Sequence, residues 1–200
     1  MMTLSFKAFT QLVMAGAISV LLATPCAQAD NQVNTTIDDF SDSSVASTGF
    51  DRQFLDDTLA GGSTTTTQLI SNGILRVEGD IAPPRGQPGW ASTVIPLSAM
   101  GEPFDASAHT GIRLLIKVTS GNVSLSANSM LVTNFDYHAA PIVVKADGDF
   151  HEVLVPFSAM KRTWSEQTAL DPHTLNSLSI VAYSMQKAAF NFEVDDVGFY

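Results

Sequence analysis

Cysteine is almost missing from this chain. Cys26 is the only one in 200 residues, so no intrachain disulfide can form and no thiolate set for zinc is available. Positive charge is scarce as well. Ten Lys and Arg stand against twenty Asp and Glu, a formal net charge of −10. Such a chain repels nucleic-acid phosphates and anionic lipid surfaces, and no basic stripe offsets the acids, so nucleic acid is not an expected partner. After the first 30 residues no apolar run is long enough to span a bilayer as a helix. Catalytic signatures are missing too: there is no G-x-S-x-G elbow, P-loop, H-E-x-x-H helix or dinucleotide fingerprint. His109, His138, His151 and His173 are scattered, without metal-ligand spacing. The chain therefore reads as non-catalytic. A glycosidase-type carboxylate pair drawn from distant segments leaves no local signature and stays open.

What is present begins with a leader. Lys7 is the only charged side chain before Asp30, and the apolar run from Leu12 to Leu22 is too short to span a bilayer. Ala27 and Ala29 supply the small residues of a cleavage site, so residues 1–29 read as a secretory signal peptide cut before Asp30. Pro25 stands where lipidation of Cys26 would want a small residue. The expected mature chain is periplasmic or extracellular, free of cysteine and stabilised by its core alone. Loss of Lys7 takes its net charge from −10 to −11. The expected organisation is a signal peptide over 1–29, a polar leader over 30–35 and a single domain over 36–200.

That domain reads as strands separated by turn residues. Segments such as "GILRVEGDI", "WASTVIPL", "GIRLLIKVTS", "LVTNFDY", "FHEVLVPF" and "SLSIVAYS" are rich in β-branched and aromatic residues, and many alternate. No long segment has the 3.6-residue apolar period of a helix. Short helical turns are expected at "PFDASAH" and "DPHTLNS". "VIPLSAM" and "LVPFSAM" share one form, an apolar strand stopped by a proline that cannot donate to the ladder. The predicted fold is all-β, a two-sheet antiparallel β-sandwich.

The order of "DDTLAGGSTTTT", "GILRVEGDI", "GWASTVIPL", "FDASAHTGIRLLIKV", "FHEVLVPFSAM" and "FNFEVDDVGFY" resembles the complex I intermediate-associated protein family. It is also similar to the wider galactose-binding-like β-sandwiches, which include family 11 carbohydrate-binding modules. The resemblance runs from about Ile37 to Tyr200. It implies a jelly-roll sandwich without a built-in active site. It also implies two competing roles: binding of carbohydrate, or protein assembly as in the eukaryotic members of the family.

Candidate binding residues follow from strand phase. Alternation puts Asn134, Asp136 and His138 on one face of "TNFDYH", with Phe135 and Tyr137 opposite. In "GIRLLIKV" the apolar set leaves Arg113 and Lys117 outward, and in "SLSIVAY" it leaves Tyr183 outward. If these strands share a sheet, its outer face carries polar groups suited to reading sugar hydroxyls. A solvated polar face reads the same way. Trp90 and Trp164 sit beside loops, where a ring serves as a stacking platform or as a lid on the core.

The closing strand raises a separate possibility. Phe190, Phe192 and Val194 share one phase, Val197 and Phe199 the other, and the switch falls at Asp195 and Asp196. That pattern predicts a β-bulge. If the first and last strands pair, Asp38 or Asp39 approaches Asp195 or Asp196, a grouping able to hold a structural calcium. The competing expectation is that these acids face solvent, cap turns or pair with Arg52 or Arg76. No other cofactor is expected.

Overall fold

The computed structural model describes residues 35–200, so the predicted signal peptide and residues 30–34 lie outside the described residues. The strands are β1 (Thr35–Asp38), β2 (Gln53–Asp56), β3 (Thr65–Ser71), β4 (Ile74–Ile81), β5 (Gly89–Pro96) and β6 (Gly111–Ser120). They continue with β7 (Asn122–Ser129), β8 (His138–Ile142), β9 (His151–Pro156), β10 (Lys161–Arg162), β11 (Leu175–Ser184) and β12 (Ala188–Phe199). One antiparallel sheet has the order β3-β4-β12-β6-β9, with β1 added along the second half of β12. The other has the order β10-β8-β7-β11-β5-β2. The fold is an all-β, two-sheet antiparallel jelly-roll sandwich. Among the described residues no helix is long and apolar enough to cross a membrane.

Alternation builds the core. Leu75, Val77, Ile112, Leu114, Ile116 and Phe192 turn inward from one sheet. Leu125, Leu178, Ile180, Ile95 and Ala182 meet them from the other, within one continuous cluster. The proline exits hold, since β5 ends at Pro96 and β9 at Pro156. The 3₁₀ turn Pro172–Thr174, capped by the Asp171 side chain, falls within "DPHTLNS", whereas "PFDASAH" forms turns and one isolated bridge instead.

The last strand resolves its phase slip as alternation requires. β1 lies antiparallel to β12, with Thr35 opposite Phe199 and Asp38 opposite Val197. Between Val194 and Asp196 the register of β12 against β6 shifts, so Asp195 is the extra residue of a bulge. Val194, Val197 and Phe199 are consequently all buried.

Candidate functional site

The outward face of the β10-β8-β7-β11-β5-β2 sheet forms the floor of a groove of about 760 Å³. Inward residues of β7 are Val123, Leu125 and Ala127, which leaves Ser126 and Asn128 outward. β11 and β5 alternate likewise and present Ser179, Val181, Ser92 and Val94. Pairing aligns Gln53, Val94, Ser179 and Ser126 as one row across β2, β5, β11 and β7. Asn128 Nδ2 donates to Ser177 Oγ at 2.9 Å and to Ser179 Oγ at 3.1 Å. Ser126 Oγ is buried and has no hydrogen-bond partner among the described residues.

Aromatic rings rise from this floor. Trp90 stands on β5, with Gln87 and Pro88 of the preceding loop beside it. On the other side Phe135, Tyr137 and Trp164 come from two loops that flank β8 and β10. Tyr137 meets Trp164 edge to face at 5.3 Å. Phe135 holds a positive φ of 62° and is 93% exposed, and Trp164 is 59% exposed. An exposed Phe in the left-handed region persists only when its neighbours fix the loop.

Asp136 fixes it. Its carboxylate accepts from the Tyr137 N–H at 2.8 Å, the Thr163 N–H at 3.0 Å and the Ser165 N–H at 3.0 Å. Arg162 Nε donates to it at 2.8 Å. Burial opposes ionisation of this group. The Tyr137 amide, the Arg162 guanidinium and the Ser165 and Thr163 donors outweigh it and hold the pKa far below the ordinary carboxylate range. Trp90 has a similar support. Asp57 is fully buried; it accepts from the Thr64 N–H at 3.0 Å, the Thr64 hydroxyl at 2.8 Å and the Trp90 N–H at 3.3 Å. A Cβ on Gly62 would fall 2.2 Å from this carboxyl group, so the turn at Gly61 and Gly62 in "DDTLAGGSTTTT" needs a glycine at the second position.

Several expectations change. "TNFDY" is a loop rather than a strand, so Asp136 points into protein while Phe135 and Tyr137 face the groove. Asn134 also serves the loop, with its Nδ2 on Ser165 Oγ at 2.8 Å and its Oδ1 accepting from Arg162. His138 faces inward, 2% exposed, with Nε2 2.9 Å from the Thr168 carbonyl. Arg113 and Lys117 lie on β6, in the opposite sheet. There Arg113 pairs with Asp196 and Glu152, and Lys117 with Glu193. Tyr183 does face outward, opposite Trp90 in the pairing of β11 with β5, but outside the groove's lining. Both tryptophans line the groove.

The proposed calcium grouping does not assemble. Asp38 is buried and bound by Arg52 at both oxygens, at 2.5 and 2.6 Å. Asp39 accepts from the Ser41 N–H at 3.0 Å and the Ser47 hydroxyl at 3.1 Å. Asp39 does approach Asp196, as the pairing of β1 with β12 requires, but Asp196 is taken by Arg113. The Asp196 pKa is raised first by burial and then by the neighbouring charges of Asp195 and Asp39. Among the described residues no group of three or more His, Cys, Asp or Glu side chains is gathered to hold a metal.

Sequence reasoning missed Gln53, Leu55, Gln87, Ser126, Asn128, Phe135 and Tyr137 as groove residues. For Ser126 and Asn128 the signal was available, because they alternate with apolar residues in "VSLSAN".

The class is that of a two-sheet jelly-roll β-sandwich with a groove on one face. The chain belongs to the Complex I intermediate-associated protein 30 (CIA30) family, whose model matches residues 39–194. A search of curated protein sequences finds no match. Among solved structures the chain is similar to the family 11 carbohydrate-binding module of the cellulosomal cellulase Lic26A-Cel5E of Clostridium thermocellum. The TM-score is 0.60 at 18% identity, covering 83% of this chain and 93% of that one. A family 11 module from the same organism, in complex with a β-1,3-1,4-mixed-linked tetrasaccharide, matches with TM-score 0.59 at 18% identity. That match covers 83% of this chain and 94% of the other. The agarase AgWH50C matches with TM-score 0.52 at 11% identity, over 82% of this chain but 24% of its own.

Proposed function

We propose that this domain is an exported, non-catalytic module that holds a carbohydrate chain across the groove. The observation that carries the reading is the groove's make-up, with exposed aromatic rings above a floor of serine hydroxyls and amides. Sugars present apolar faces that stack on rings and hydroxyls that bond to small polar groups. The solved family 11 module with a bound tetrasaccharide lends support through its shared fold. No carboxylate or histidine lines the groove, so it offers no general acid or base to a glycosidic bond.

The test is affinity electrophoresis of the full chain in gels containing soluble glucans, xylans, galactans or mannans. Retardation is expected in at least one. Trp164→Ala should weaken it about tenfold or more, because a large ring stacked on a ligand carries much of the binding energy. Migration unaltered by every polymer overturns the reading.

The rival occupant is a protein segment, on the side of which stand the family's link to complex I assembly and the exposure of Phe135. Capture of one protein that soluble glycan fails to displace would favour it.

A further inference from the structure

We infer that the groove selects an uncharged polysaccharide chain and discriminates against its uronic or sulfated counterparts. This rests on the carbohydrate reading above and narrows it.

Charged residues make up 15% of the chain, so an average set of fourteen would include about two. None of the fourteen lining residues is charged. Asp136 and Arg162 lie behind the aromatic rim and satisfy each other, and Asp57 lies buried beneath Trp90 with its oxygens taken by Thr64 and the Trp90 N–H. Tyr137 lines the rim, and its pKa is pushed up, first by burial, against a smaller opposing hydrogen bond from Thr163. It stays a neutral phenol at physiological pH.

A carboxylate or sulfate entering this groove would exchange water for hydroxyls, amides and rings, with no cation to meet it. Removing an unpaired charge from water is far costlier than removing a hydroxyl that finds a partner. The floor provides such partners. Ser126 is 2% exposed on the groove side of β7, and its Oγ is unpartnered. A buried hydroxyl left unmade disfavours the free protein, so a ligand hydroxyl bonded there gains by comparison.

The site also suits a chain more than a single ring. The Gln53, Val94, Ser179 and Ser126 row crosses four adjacent strands. Three spacings of about 4.8 Å give a floor of about 14 Å before the Phe135 and Trp164 rim is reached.

The test titrates the full chain with neutral β-glucan, xylan and galactan, and with the carboxymethylated or sulfated derivative of each at matched length. Each titration is run at about 0.1 M and about 1 M salt, where the screening length falls from about 10 Å to about 3 Å. A neutral polymer should bind, and its charged derivative should bind at least tenfold more weakly at both salt levels. Equal or tighter binding of the derivative overturns the inference and leaves the carbohydrate reading standing. A preference that vanishes at high salt also overturns it, because the chain's net negative charge would then be the cause. Binding of no polymer overturns both. Ser126→Ala should weaken the neutral polymer about three- to tenfold, the scale of one lost hydrogen bond, with a melting midpoint of the free protein that is equal or higher. Unchanged affinity would remove Ser126 from the recognition.

Discussion

Two buried carboxylates hold the groove's aromatic rims from below, Asp57 under Trp90 and Asp136 under Phe135, Tyr137 and Trp164. Neither lines the groove, yet the ring geometry depends on both. Asp136→Asn leaves the Arg162 guanidinium without its buried partner, and stability at neutral pH should fall by about 3 to 5 kcal/mol. The pH dependence has a definite sign. The Asp136 pKa is lowered in the folded state, so its contribution is complete above the ordinary aspartate pKa of about 3.9 and fades as pH falls below it. Urea unfolding at pH 7 and pH 3 should therefore give a gap between parent and variant that narrows in acid. A gap of constant size would mean the ionised form is not what matters. Sequence phase had made Asp136 a solvent-facing reader of hydroxyls, a position where substitution costs about 0.5 kcal/mol or less. It failed because "TNFDY" carries strand-like alternation while the buried acid draws three amides into a loop. Period alone cannot separate the two when the polar residue is the one that is buried.

Elements were more legible than side chains. β4, β5, β6, β9, β11 and β12 all follow from alternation and their stop signals. β2, β8 and β10 escaped notice because they are short and polar or small in composition, as in "QFLD", "HAAPI" and "KR". They are edge or near-edge strands whose place comes from pairing with longer neighbours. Sheet membership was not legible either. Arg113 and Tyr183 both face outward, but on opposite sheets. The β12 bulge was legible, and it can be tested as a device of phase. Deleting Asp195 leaves Val194, Asp196, Val197, Gly198 and Phe199 in strict alternation, with Val197 still opposite Leu114. That variant should keep a cooperative melt. Deleting Glu193 removes the same charge but, in regular alternation, drives Asp195 into the core and Val194 out of it. This second deletion should abolish cooperative folding, while Glu193→Ala, which loses only the ion pairs to Arg76 and Lys117, should not. Cooperative melting of both deletions, followed by circular dichroism, would show that the bulge does not set the phase.

At the scale of the whole molecule the acidity and the groove separate cleanly. The net charge of −10 is carried outside a groove lined by neutral residues, which favours solubility without placing repulsion inside the proposed site. The first strand adds a constraint on export. β1 begins at Thr35 and pairs with β12, and its last residue, Asp38, is locked to Arg52. A cut before Asp30 therefore leaves only residues 30–34 between the new terminus and the sheet. Cleavage there removes Cys26 and Lys7 but no residue of the described fold, so the exported chain should fold without disulfide chemistry and melt at the same temperature with or without reductant. Expression with export, followed by N-terminal sequencing and intact mass, should give a chain beginning at Asp30 that binds the same polymers as the full chain. Retention of Met1 would overturn the export reading, and a lipid on Cys26 would overturn the cut before Asp30. A cut beyond Thr35 should instead release β1 from β12 and leave the Arg52 guanidinium buried without its partner once Asp38 is lost, a change that would appear as a large fall in melting temperature.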